Sequence, residues 1–284
     1  MRDVYIAVCL AAALAASSLA QTPSCDALTG AKRQLATRLL DTEHPYECCD
    51  DTIARCLAAR PTCSLAARLA DTVCRRVSAG QDEARIRRAL SRRARSMVGG
   101  GAPATIGKSA AQALGPEAAP VQLAVYACAR CPFCSRLVPI LAREVRGERF
   151  AGKVRMVFRT FPIRGREGST EGGLAFTAAA AMGKFWEFVL HAYEHFDQFD
   201  PARQRVWGEA VGLDGAAFEA LMAAPETRES LIASKKEGVV NGIEETPTFF
   251  INGRLWVGDL EAVEVLDALD EEVERAGGRQ WLQR

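Results

Sequence analysis

Cys131 and Cys134 are separated by Pro132 and Phe133, directly after an apolar run and at the start of a segment with helical spacing. That placement suits redox chemistry. A helix N-terminus offers free N–H groups and the positive end of the macrodipole, and both favour the thiolate, the reactive form of cysteine. Cys131, at the outer edge, reads as the nucleophile. Cys134, one turn inward, reads as the thiol that resolves a mixed disulfide by attacking Cys131. Arg130 is a candidate source of positive charge beside Cys131. A zinc site needs two more ligands, and no second Cys-x-x-Cys pair is present. Cys128 extends the run to Cys-x-x-Cys-x-x-Cys, but the fourth cysteine of an iron–sulfur run, followed by Pro, is missing. Cys128 is either a second resolving thiol or a buried bystander, and free cysteine is often simply buried.

The elements around the pair alternate. Val121 to Ala127 is an apolar strand, Pro132 to Val145 a helix with proline in its tolerated first turn, and Lys153 to Phe161 a second strand. A long helical block from Glu171 to Val240 follows, with breaks near Gly183, Pro201, Asp214 and Pro225. Thr248 to Ile251 is a short strand, Asn252-Gly253 a hairpin turn, and Leu255 to Val257 the return strand. A closing helix runs from Asp259, a plausible N-cap, to Arg275.

The chain has 284 residues and a formal net charge of +1, so no strong field points to nucleic acid. Ten cysteines in such a chain indicate an oxidising compartment or metal. Residues 1–20 read as a signal peptide: Met1-Arg2-Asp3, then an apolar stretch to Leu19, then Ser18-Leu19-Ala20 with small residues at the cleavage positions. The expected localisation is periplasmic or otherwise exported. Cys25, Cys48, Cys49, Cys56, Cys63 and Cys74 fall in a helical stretch of thin core, expected at 21–98. Three structural disulfides, of unknown pairing, are expected among these six, with the adjacent Cys48 and Cys49 bonded to different partners. Residues 99–111, rich in Gly, Ala, Pro and Ser, read as a linker to a second domain at 112–284.

Residues from about 112 to 276 resemble the DsbA-like, or BdbD-like, thioredoxin-fold proteins. The resemblance rests on Leu114-Gly115, Ala119-Pro120-Val121, the Cys131-Pro132-Phe133-Cys134 segment, Phe161-Pro162, Lys184-Phe185-Trp186-Glu187 and Thr246-Pro247-Thr248-Phe249-Phe250-Ile251-Asn252-Gly253. It implies an α/β thioredoxin fold with a helical insertion, here preceded by a small Cys-rich helical domain. It implies a cis Pro247 beside the cysteine pair, with Arg130, Pro132, Phe133, Thr246 and Pro247 forming the active-site loops. It implies a thiol–disulfide oxidoreductase that needs no cofactor and exchanges with cysteines of other exported proteins, with a membrane redox partner. Family members often carry an acid in the first strand, where Val125 stands here. Oxidase, isomerase and reductase directions all remain open.

Three other signals carry less. Residues 48–95 are similar in character to the cysteine-bearing helical domain of CcmH-type cytochrome c maturation proteins, which implies metal or apocytochrome binding as the alternative function. Their characteristic Cys-x-x-Cys is absent. His191 and His195 have metal-ligand spacing but no Glu following in the zincin pattern, and they read as a helix face, with no metal assigned. The arginines from Arg85 to Arg95 read as a solvated helix face.

Overall fold

The computed structural model describes residues 23–59, 63–107 and 109–277. The expected signal peptide at 1–20 lies outside these residues, as does Pro61, a residue type that suits the end of a helix. No helix among the described residues is long and apolar enough to cross a membrane. The chain divides into two compact units, one of residues 1–45 with 49–83, the other of residues 46–48 with 84–284.

The first unit is helical: α1 (Pro23–Asp26), α2 (Gly30–Thr42), α3 (Ile53–Ala58) and α4 (Ser64–Ser78). Leu65, Leu69, Val73 and Val77 recur at helical spacing along α4, and all are buried. The Thr52 hydroxyl caps α3 by accepting from the Arg55 N–H. Cys25 is bonded to Cys74 and Cys49 to Cys56. Cys48 and Cys63 are also disulfide-bonded.

The first helix of the second unit is α5 (Glu83–Val98, all but its first residue), which the sequence places in the first unit. The arginine run is not uniformly solvated. Arg93 shares a stripe with Ile86, Leu90 and Met97, and it is 2% exposed. Its guanidinium donates to Glu264, 3.1 Å away, and to Glu271. Those carboxylates, with the Tyr46 hydroxyl at 3.4 Å, make α5 part of this core. The expected linker is also packed. Ile106 is buried. Ala104 N–H donates to the Gly253 carbonyl (2.9 Å), Gly107 N–H to Glu237 (3.0 Å), and Asn241 to the Thr105 carbonyl (3.0 Å). Its small-residue composition hides these backbone bonds.

The remaining elements are β1 (Ala113–Leu114), β2 (Val121–Ala127), α6 (Pro132–Arg146), β3 (Val154–Thr160), α7 (Ser169–Ala181), α8 (Phe185–Glu194), α9 (Gln204–Ala210), α10 (Gly215–Ala223), α11 (Pro225–Val240), β4 (Thr248–Ile251), β5 (Arg254–Leu255) and α12 (Ala262–Ala276). One sheet has the order β1-β3-β2-β4-β5. β2 pairs in parallel with β3 across the α6 crossover, and antiparallel with β4, placing Val125 opposite both Phe158 and Phe249. Alternate residues of β2 feed two cores. Val121, Leu123, Val125 and Ala127 join the larger, while Ala124 and Tyr126 join a smaller one with Phe161, Ile243 and Phe250. Burial on both faces explains the nearly continuous apolar run.

The helical block breaks as the sequence indicates. Gly183, at φ 74, follows α7, Asp214 caps α10 by accepting from Ala217 N–H, and Pro225 occupies the first turn of α11. The end of the chain differs in detail. Asn252 and Gly253 turn with positive φ, but the return strand is Arg254–Leu255. Asp259 does not cap α12: Glu261 precedes it, and the Asp259 carboxylate pairs with Arg92.

Candidate active site

Cys131 is the N-cap of α6, with extended backbone (φ −100, ψ 119) and Pro132 in the first turn. The residue therefore stands at the positive end of the α6 dipole. Cys128 builds the turn that presents it. The Cys128 carbonyl accepts from Cys131 N–H and from the Tyr193 hydroxyl, each at 3.2 Å. The Cys128 sulfur accepts from Arg130 N–H at 3.4 Å and lies 3.1 Å from the Ser169 hydroxyl. Cys128, Cys131 and Cys134 are all buried free thiols.

The loop before β4 comes to the same place. The Thr246–Pro247 bond is cis, and the Cys131 thiol donates to the Thr246 carbonyl at 3.0 Å. Pro132 and Phe133 face outward, and Phe133 is 52% exposed with Arg136 over its ring.

The two thiols titrate apart. The Cys131 thiol is lowered from 9.0 to about 5, chiefly because the Cys134 thiol donates to its anion. Burial opposes the shift, while the Cys134 backbone N–H, Thr246 and Arg166 add to it. Cys134 is held well above its ordinary value by burial first, and then by its neighbour Cys131. One sulfur is thus an anion at neutral pH and the other a proton donor, as nucleophile and resolving thiol require.

Sequence reasoning named Arg130 as the nearby cation. Arg130 instead turns away: its guanidinium donates to the Phe196 carbonyl (2.9 Å) and stacks on the rings of Phe196 (4.9 Å) and Phe199 (4.4 Å). The guanidinium acting on the Cys131 thiol belongs to Arg166, which also donates to the Arg130 carbonyl at 3.1 Å. Arg166 lies 35 residues from Cys131 in a turn with no motif, and nothing local marks it. The six early cysteines lie in the other unit apart from Cys48. Being disulfide-bonded, they have no thiolate to offer a metal.

The family described as "Thioredoxin" matches residues 108–271, more than half of the chain. The chain belongs to the thioredoxin family. This thioredoxin-family chain is similar in structure to BdbD from Bacillus subtilis (TM-score 0.53, 17% identity, 61% of this chain and 100% of that one). It is likewise similar to alpha-DsbA1 from Wolbachia pipientis (TM-score 0.51, 18% identity, 58% and 92%). At these identities the likeness is one of fold. In sequence it is 30% identical over 155 residues to Na(+)/H(+) antiporter NhaA 1 of Mycobacterium sp. (strain KMS), covering 54% of this chain and 25% of that protein. The match thus spans about a quarter of the antiporter's length. The thioredoxin-family region of the present chain contains Cys131, Cys134, Arg166, Thr246 and Pro247, all of the groups placed around the thiols.

Proposed function

We propose that this protein is an exported thiol–disulfide oxidoreductase that works as an oxidant, passing a disulfide at Cys131–Cys134 to cysteine pairs of other exported proteins. The carrying observation is the Cys131 thiol at about 5 beside a Cys134 thiol held protonated. Stabilising the thiolate stabilises the reduced pair, and a stabilised reduced form makes its disulfide a stronger oxidant. In the forward step a substrate thiolate attacks Cys131 Sγ of the disulfide and Cys134 leaves as thiolate, then takes up a proton. The substrate's second thiolate attacks the mixed disulfide, its own disulfide forms, and Cys131 leaves as a thiolate already stabilised by the site. Two electrons pass from substrate to enzyme. A membrane redox partner that removes them would complete the cycle, and no dissociable cofactor is required. The exposed Phe133 beside the pair offers apolar surface to an unfolded chain.

Equilibration of the Cys131–Cys134 couple against glutathione tests the direction. The expected reduction potential lies roughly between −120 and −200 mV, on the oxidising side of the thioredoxin couple near about −270 mV. A value at or below that of thioredoxin would reject the oxidant reading and leave a reductant.

A further inference from the structure

Helix α8 ends at His191, Glu194 and His195, and the redox chemistry uses none of them. One nitrogen of each imidazole and a carboxylate oxygen of Glu194 lie within 4.8 Å of one another. The i, i+3, i+4 spacing stacks the three side chains over one helical turn. The two rings are 4.3 Å apart between centroids and 36° from parallel. His195 is the C-cap of α8, so the group sits at the carbonyl end of the helix, where the macrodipole favours a cation. His195 Nδ1 lies 2.9 Å from the His191 carbonyl. A carbonyl only accepts, so Nδ1 donates and Nε2 keeps its lone pair. Metal-ligating histidines are oriented by this kind of backbone bond. Trp207, itself buried, packs against both rings, with centroids 5.9 and 6.3 Å away. Glu194 is exposed and both histidines are half-buried, so the group is open to solvent.

We propose that His191, Glu194 and His195 bind a divalent zinc-like cation through two imidazole nitrogens and one carboxylate oxygen, with water as the fourth ligand. Zinc takes imidazole nitrogen at about 2.0–2.1 Å and carboxylate oxygen at about 2.0–2.2 Å, which puts tetrahedral ligands about 3.4 Å apart. Ligand atoms within 4.8 Å reach that spacing by small side-chain rotations, for which the exposed Glu194 has ample freedom. Two imidazoles select a first-row transition ion over Mg²⁺ or Ca²⁺, which take oxygen ligands. The absence of a thiolate from this trio disfavours Cu(I).

The test is calorimetric titration of Zn²⁺ into the full chain with Cys131–Cys134 oxidised, so that this pair offers no competing thiolate. One equivalent is expected to bind. His191→Ala and His195→Ala should each weaken binding by about 100-fold or more and Glu194→Gln by about tenfold, at or beyond the effect of losing an outer-shell partner. Cu²⁺ spectroscopy of the unaltered protein guards against misfolded variants and should report two nitrogen ligands. Weak multi-site binding, binding unmoved by both histidine variants, or a Cu²⁺ signal without nitrogen coupling would each overturn the site.

Discussion

The sulfur of Cys131 and the carbonyl oxygen of Thr246 lie 3.0 Å apart although 115 residues separate them in sequence. The thiol has a proton to give this oxygen and the thiolate has none, so ionisation breaks the bond. What then holds the anion is the Cys134 thiol, followed by the Cys134 amide, Thr246 and Arg166.

Reactivity of the reduced protein should therefore follow a group titrating near pH 5. Alkylation by iodoacetamide and the ultraviolet absorbance of thiolate should both rise through that value and be flat at neutral pH. Because the folded value lies below the ordinary one, the unfolded chain binds the extra proton between about pH 5 and about pH 9. Reduced protein should thus gain stability over Cys131→Ser as pH rises across that window, and lose the advantage as pH falls through about 5. A pH-independent difference in denaturation midpoint would contradict this.

Cys131→Ser should abolish exchange with a reduced, unfolded substrate, while Cys134→Ser should accumulate mixed disulfides, since the resolving thiol is gone. Non-reducing electrophoresis with thiol trapping distinguishes the two. Arg166→Ala should raise the Cys131 titration point, whereas Arg130→Ala should leave it in place, since Arg166 and not Arg130 acts on the thiol.

Arg93→Leu keeps bulk but removes the buried guanidinium that Glu264 and Glu271 share. A loss of about 3–5 kcal/mol in unfolding free energy is expected. Denaturant titration of the second unit's transition measures it, and a loss under about 1 kcal/mol would mean that the carboxylates find other partners.

Gly238→Ala pits two effects against each other in α11. Alanine in a helix interior ordinarily gains about 1 kcal/mol over glycine. Here its Cβ would lie 2.4 Å from the Phe161 ring and 3.2 Å from Tyr126, both 0% exposed. Overpacking costs typically about 1–3 kcal/mol, so a lower melting temperature is expected.

Cys25→Ser with Cys74→Ser opens a loop of sequence separation 49. Chain entropy alone makes that worth about 4 kcal/mol. Limited proteolysis within residues 23–83 should accelerate strongly in this variant, and an unchanged rate would mean that the helices hold without the bridge.

Much of this molecule is legible in the sequence because local pattern and tertiary environment agree. β2 is apolar at nearly every position since both its faces are buried, and Asp214 and Pro225 mark helix starts by their own chemistry. The Cys131–Cys134 spacing, set between strand and helix, identifies its own location. What escapes is long-range. Arg93 lies on the apolar stripe of α5, a signal in plain view, but an arginine there implies burial only if two distant acids, Glu264 and Glu271, are known to converge. Residues 99–111 look like a linker because small residues carry little side-chain information, while their hydrogen bonds are made by the backbone. Arg166 and the Thr246 carbonyl reach the thiol through the fold alone.

The sheet ends on both sides in a strand of two residues, β1 and β5. Long unpaired edges invite other extended chains to add on, and shortness is one way in which proteins blunt them. For a protein proposed to meet unfolded partners one after another, this has a practical value. A substrate can touch the thiol and leave, because neither terminal strand is itself long enough to hold an added chain and seed a fibre.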